Sequence, residues 1–501
     1  MKTKMRILST LLAVGMTASL FAGCSPKEPP AASSTGGGAG TGSTPQASAA
    51  DAPTLTWWTV GGTGQKRDEA FAEFNKYTAE KIGVKMDLKV AGWNDFGQKM
   101  NTIINSGEYF DIMFTNGNDY NRYASMGAFT DLTNGVESVI PELYKFIPSM
   151  VWDGVKVDNK ILAVPTYKDS AMAQYWIWDK SMGIKYDFKP EELLTLQQLD
   201  PVMYKIKEGE GKSFYPFILD KGGLNGWSIG YDGMGTDAIG LGVKLDDTSH
   251  KVVSILEQDD IMNNLRTLHK WFKDGIINPD APTASEMPKY RMIGSNQTFP
   301  GQEADSARAM GLTQSDTTGI TLVRYAGPLY STSSIQGSVN AISASSKYIN
   351  ESLRYLQFVN MDHTLRDMFC YGLEGTHYTR VDENTVKPNN EIEWGLPAYT
   401  QATFATRSLV EGTPADQWKQ IESQNEAATP SVLLGWILNI DELTDEVSNC
   451  RAIWDKYSAE LTTGASDPDV VVPKIIAEWK GVGWDKIMTE AQKQIDEHFA
   501  A

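Results

Sequence analysis

Thr54-Leu55-Thr56-Trp57-Trp58-Thr59-Val60 alternates in character and is rich in β-formers, and Gly61-Gly62-Thr63-Gly64 breaks the run. The alternation predicts a strand. Lys66 to Ile82 follows, with Ala70, Phe71, Phe74, Tyr77 and Ile82 at helical spacing. Val84 to Val90 predicts a second strand, with Met86, Leu88 and Val90 on one face. Phe96 to Ser106 reads as a helix, and Tyr109 to Phe114 as a third strand that stops at Asn116-Gly117-Asn118. Strand–helix alternation with connections of this length implies a parallel α/β layer. Ligands bind such layers beyond the carboxyl ends of the strands, here Gly61–Gln65 and Thr115–Tyr120. The glycine cluster matches neither GxxxxGK[ST] nor GxGxxG, so a nucleotide cradle is set aside.

The chain beyond repeats these signals. Trp152 to Pro165 reads as a hairpin; its carboxylates do not have the spacing of a calcium loop. Ala173–Trp178, Phe214–Leu219, Ile320–Tyr325 and Gln336–Ser343 read as strands. Asp179–Ile184 reads as the start of a linker. Leu193–Lys207, Asp259–Lys273 and Ser346–Asn360 read as helices, the second ending at Gly275 as helices commonly do. Gly222-Gly223-Leu224-Asn225-Gly226-Trp227 forms a second glycine-rich loop. Arg380 to Lys387 reads as a small exposed hairpin. The last hundred residues read as helices at Thr413–Glu426, Glu442–Thr463 and Pro473–Phe499, the last with an apolar stripe of Ile475, Ile476, Trp479, Trp484, Ile487 and Ile495.

The 501 residues carry a formal net charge of −18, with 41% hydrophobic and 22% charged residues. The balance is that of a globular protein. The acidity argues against nucleic acid or an anionic membrane surface as partner. The five histidines show no close pairing, and the cysteines match no metal or redox motif, so neither a metal nor a cofactor is expected. Cys370 and Cys450 are open to pairing or to two buried thiols. The 14 tryptophans and 20 tyrosines suit sugar rings, although aromatics also fill cores.

At the N-terminus, Lys2, Lys4 and Arg6 precede an apolar run from Ile7 to Phe21, then Ala22-Gly23-Cys24. This is the pattern of a secretory signal, too short for a stable membrane span. A cysteine directly after the cleavage position can carry lipid. The stretch resembles a bacterial lipobox, departing from it at Phe21, where leucine is preferred. Ser25 to Ala52 is almost wholly Ser, Gly, Ala, Pro and Thr, a flexible tether. The expectation is a signal peptide at 1–23, a lipid-bearing Cys24, a disordered tether at 24–52, and a body outside the cell, held at the outer face of the membrane. That body, about 450 residues, exceeds one ordinary core and calls for two lobes.

Several stretches together resemble the family 1 extracellular solute-binding proteins, receptors of bacterial ABC importers, and in particular their larger Gram-positive lipoprotein members. Asn159-Lys160-Ile161-Leu162-Ala163-Val164-Pro165 is similar to the family's "gKiyavP" signature. Trp176-Ile177-Trp178-Asp179-Lys180 with Gly183-Ile184 is similar to its "yyNkd…Gi" segment. Ser106-Gly107 with Phe110-Asp111-Ile112 is similar to its "sG…pDi" strand, and Gly327-Pro328 with Gly337–Ser346 to its return crossing. Tyr371–Tyr378 is similar to the longer lipoprotein members. The resemblance implies a two-lobed, periplasmic-binding-protein-like α/β fold with discontinuous lobes joined by a hinge, closing on ligand. The first lobe is expected at 53–168 plus 335–385, the second at 169–334 plus 386–501.

The resemblance also implies an oligosaccharide receptor that delivers its ligand to an ABC permease, a monomer and not an enzyme. A secreted glycoside hydrolase would need a carboxylate pair across a cleft, which no motif selects. A scaffold lipoprotein without a small ligand is the other alternative. By position, the ligand-touching candidates are Gly62, Thr63 and Gln65 after the first strand and Asn116, Asn118 and Asp119 after the third. Tyr167, Lys168 and Asp169 lie at the first crossing, and Trp227 and Tyr231 in the second glycine-rich loop. Trp57 and Trp58 are expected in the core, Glu374 and His377 at a polar corner, and Trp394 and Trp436 as further cleft aromatics.

Overall fold

The computed structural model describes residues 52–93, 95–235, 240–285, 293–302, 319–389 and 391–500. The signal, Cys24 and nearly all of the tether lie outside them. Thr54–Val60 forms a strand as its alternation predicts. It lies in a five-stranded sheet ordered Lys85–Ala91, Thr54–Val60, Ile112–Thr115, Val339–Ile342, Ala163–Pro165. The first three strands are parallel; Val339–Ile342 returns antiparallel to both its neighbours. Helices Arg67–Ile82 and Phe96–Ser106 make the crossovers between the parallel strands. Trp57 is fully buried, and its indole N–H donates to Asn340 Oδ1 at 3.2 Å. Trp58 is half-buried beneath the Lys99 ammonium.

The second lobe is built on a sheet ordered Ile293–Gln297, Met172–Asp179, Ile320–Tyr330, Thr429–Pro430. Its first three strands are antiparallel. Met172–Asp179 is buried on both faces, which is why its sequence shows no alternation. Trp176 and Trp178 enter a core with Leu199, Phe217, Leu265 and Trp271. Ile177 faces the opposite side with Ile320. Each such large apolar side chain contributes about 1.5–3 kcal/mol on burial.

The structure departs from the sequence reading at several places. Trp152 lies within a short helix, Ser149–Gly154, so the hairpin shrinks to Lys156–Val157 with Lys160–Ile161, turned by Asp158 and Asn159 at φ 49° and 62°. Both turn residues are left-handed, the geometry that asparagine and aspartate tolerate in tight hairpins. The expected linker at 179–184 is largely a helix, Lys180–Tyr186, which the Asp179 side chain caps. The segment 214–219 pairs through a lone bridge, Phe217 to Ile277, and is not a strand. The sequence reading places no element at His363–Tyr371, where a helix starts on an Asp362 cap. The expected final helix is two, Pro468–Gly481 and Trp484–Phe499. The break falls at Gly483, φ 106°, where a Cβ would lie 2.4 Å from the Glu446 side chain.

The lobe boundary also moves. Trp394, Leu396 and Ala402 pack into the first core, beyond the expected limit at 385. Trp394 covers Phe71 and Phe74 and donates to the Phe369 carbonyl, so the first lobe needs it. The chain passes between the cores three times: at Thr166–Ala171, at Ser331–Ser338, and through a stretch beyond Ala402 that contains helix Gln417–Glu426. Cys370 and Cys450 are free buried thiols in separate clusters. Among the described residues no helix is long and apolar enough to cross a membrane.

Candidate functional site

The carboxyl edge of the first sheet is closed by one length of chain, Glu393 to Gln401. Gly395 O accepts from Gly62 N at 2.7 Å and Glu393 O from Gln65 N at 2.7 Å. Tyr399 O accepts from the Ser338 hydroxyl, and Thr400 O and Gln401 O from the Asn340 amide. The approach is backbone to backbone: a Cβ on Gly61 would lie 2.8 Å from Gly395 O, and one on Gly64 2.4 Å from Trp394 O. Arg67 reinforces it by donating to Gly62 O and Trp394 O. Burial pulls the Arg67 pKa down, opposed by Glu393. The first glycine cluster is thus a packing device. It leaves Thr63 and Gln65 exposed and Gly62 half-buried.

Four side chains gather on this edge. Trp93, 54% exposed, follows strand Lys85–Ala91 and stacks on Tyr399, with ring centroids 6.2 Å apart and planes at 29°. Lys168 Nζ sits 5.7 Å from the Tyr399 ring centroid and 2.8 Å from Asp169 Oδ1. Burial, and then the Asp169 charge, push the Tyr399 pKa up. Lys168 and Asp169 keep under a fifth of their side-chain surface exposed, so the pair is partly desolvated and held. A flat aromatic face beside a fixed donor and acceptor is the arrangement that engages a ring with an apolar face and a polar rim.

The remaining candidates of the first lobe divide. Asn116 is exposed and begins helix Gly117–Ser125 without a side-chain cap bond. Asn118 lies in that helix's first turn; its side chain is outside the described set. Asp119 is spent on Arg122 at 2.6 Å. Asn121 ties the helix to the second crossing by donating to Gln336. Tyr167 is buried between Phe146 and Trp418, and this takes it out of a ligand's reach in this conformation. His377 is buried, and its Nε2 lies 2.8 Å from Gln65 O; Glu374 pairs with Arg380 at the surface.

In the second lobe a cavity of about 700 Å³ opens over Trp176, Tyr325 and Trp227. Trp176 and Tyr325 are stacked, 3.7 Å between centroids and 14° between planes. Trp227 stacks on Trp454 at 5.3 Å. The rim carries Gln197, Asp260, Asn263, Asn264, Arg266 and Thr267. Tyr231 stands beside it, its hydroxyl donating to Asp260 at 2.9 Å, and burial with that carboxylate raises its pKa. Trp436 is half-buried against the same lobe's core.

Trp93 and Tyr399 are additions to the sequence-based set. Trp93 obeys the positional rule that selected Gly62 and Asn116, since it follows the carboxyl end of the second strand. Tyr399 gives no such signal: it arrives from a segment some 300 residues away in sequence, and it lies in a short 3-10 turn, Ala398–Thr400, and not at the end of a strand.

Two α/β lobes, three crossings and aromatic, polar-rimmed faces define a hinged binding protein. The model of the bacterial extracellular solute-binding proteins matches residues 69–371, and the chain belongs to that family. A domain of unknown function matches residues 432–500. A carbohydrate ABC transporter substrate-binding protein of Streptococcus pneumoniae is 26% identical over 459 residues, 90% of this chain and 92% of that one. The crystal structure of an N-glycan transport solute-binding protein from S. pneumoniae superposes with a TM-score of 0.78 at 25% identity, covering 89% and 98% of the two chains. It has also been solved with Man5GlcNAc, with a TM-score of 0.67. A human-milk-oligosaccharide-binding protein from Bifidobacterium longum infantis shares the fold at 13% identity, TM-score 0.61, over 89% and 99% of the chains.

Proposed function

We propose that this protein is a receptor that captures an oligosaccharide between its lobes and delivers it to an ABC permease. The observation that carries the reading is the near end-to-end match with a carbohydrate ABC transporter substrate-binding protein. The stacked Trp93–Tyr399 face with Lys168 and Asp169, and the cavity over Tyr325 and Trp227, with Trp176 buried behind Tyr325, supply the aromatic and hydrogen-bonding groups such a ligand requires. The protein binds without turnover, acts as a monomer and partners permease subunits. Cys24 carries the lipid that holds it at the outer face of the membrane, and the Ser/Gly/Ala-rich tether keeps its ligand near the permease at raised effective concentration.

Calorimetry of the full chain against a panel of N-glycan, milk-type and plant oligosaccharides tests the reading. Saturable binding, a rise in melting temperature and an unchanged sugar by chromatography are expected. Release of smaller sugars overturns it in favour of a hydrolase. A panel without any binder overturns the carbohydrate assignment. For the anchor, Cys24→Ser should move the protein into the medium with affinity unchanged; retention at the membrane would refute lipidation there.

A further inference from the structure

Helix Gln417–Glu426 lies on the third passage between the lobes, and its side chains divide by face. Residues seven apart share a helix face. On one face Trp418 packs on Phe146 and Tyr167 of the first core, centroids 6.5 and 5.6 Å away. Seven residues on, the buried Asn425 spends its whole amide on the first crossing: Nδ2 donates to Lys168 O at 2.6 Å, and Oδ1 accepts from Ala171 N at 3.0 Å. On the adjoining face, the buried Gln417 donates to Gly301 O of the second lobe at 3.2 Å. Seven residues on, Gln424 accepts from the Tyr175 hydroxyl of the second sheet at 2.5 Å and donates to Ala171 O at 3.4 Å.

We propose that helix Gln417–Glu426 is a strut in the hinge that sets the angle between the lobes, gripping the first lobe and its crossing through Trp418 and Asn425 and the second lobe through Gln417 and Gln424. Three of the four gripping side chains are amides about 3% exposed, so a closure that breaks their bonds must remake them. A hinge held this way has discrete angles instead of a continuum. Asn425 also fixes the backbone that carries Lys168 and Asp169, and these two share the edge with Trp93 and Tyr399. Gln417, Gln424 and Asn425 are thus positioning residues for the binding site.

The test reads the hinge without any ligand, so its failure is separable from failure of the carbohydrate reading. Spin labels are placed at exposed Lys76→Cys on the first lobe and Lys189→Cys on the second, in a full-length Cys24→Ser background. The label–label distance distribution is then measured by pulsed electron resonance. Gln417→Met with Gln424→Met keeps side-chain volume and removes both second-lobe bonds, together with the weaker Gln424 bond to Ala171 O. A shifted mean or a distribution roughly twice as wide is expected, with a lower melting temperature because the Tyr175 hydroxyl and the Gly301 carbonyl lose their buried partners. An unchanged distribution overturns the proposal. Should the double variant fail to fold, Tyr175→Phe decides in its place: it deletes only the hydroxyl that meets Gln424, and a distribution identical to the parent's again overturns the strut.

Discussion

Two glycine-rich loops, Gly61–Gly64 in the first lobe and Gly222–Trp227 in the second, look alike in sequence and do different work. In the first, the glycines admit another stretch of backbone: carbonyls of Trp394 and Gly395 stand where Cβ atoms would be. In the second, the glycines admit side chains: a Cβ on Gly223 would meet Thr462, and one on Gly226 would meet Gln174. The first loop ends stitched to Glu393–Gly395, and the second ends by presenting Trp227 to a cavity. Glycine marks close approach in both. What approaches decides whether the loop is a seam or the wall of a cavity.

The sharpest way to break this contrast is to add one methyl group to the seam. At Gly64, φ is +51° and a Cβ would meet both the Arg67 guanidinium, which itself holds the seam, and the Trp394 carbonyl, which cannot swing aside. Gly64→Ala is expected to cost about 2–4 kcal/mol, combining left-handed strain with overpacking, read as a lowered melting temperature. A loss below about 0.5 kcal/mol would show that the seam is loose. The next effect falls on binding. Trp227→Ala and Trp93→Ala are each expected to weaken glycan affinity about tenfold, some 1.4 kcal/mol. Trp93 is 54% exposed, so its loss should leave the melting temperature in place, whereas Trp227 also gives up a stack on Trp454 worth about 0.5–1.5 kcal/mol. Unchanged affinity in calorimetry would remove either residue from the site.

Gly226→Ala comes third, at about 1–2 kcal/mol of stability. Its φ of +66° is strained for alanine, but the 2.6 Å neighbour is the flexible Gln174 side chain, which can give way. A cost equal to that of Gly64→Ala would erase the distinction between the two loops.

The first lobe was legible in its opening because strand and helix periods are clean there: Thr54–Val60 and Phe96–Ser106 match their predicted ends. The boundary at 385 misled because Trp394 and Leu396 carry no periodic signal, and their place in the first core depends on contacts with Phe71 and Phe74 more than 300 residues away in sequence. In the Trp93–Tyr399 cluster, the positions of Lys168 and Asp169 were legible as residues after a strand at a crossing. Tyr399, which completes their cluster, was not, and neither was the Gln417/Gln424 and Trp418/Asn425 division of a helix whose apolar pattern is weak. Polar residues that face inward look on a sequence like a solvated surface.

The smallest effect lies just beyond the second loop, at Asp232 in the short strand Tyr231–Asp232. Its carboxyl is fully buried, and burial pushes its pKa up against the pull of the Ser431 hydroxyl and the Met234 amide. The folded state thus holds the proton more tightly than the unfolded chain does. Stability from this group is full below the unfolded value of about 3.9 and declines as pH rises towards the raised folded value. Asparagine has the same shape, keeps an oxygen for the Met234 N–H, and has no proton to lose. Asp232→Asn should stabilise the protein by roughly 1 kcal/mol at pH 7, a rise of about 1 °C in melting temperature for a body of this size, and by less at pH 4. The same gain at both values would mean that packing and not charge sets it, and that the strand after the second loop is as purely steric as the seam in the first.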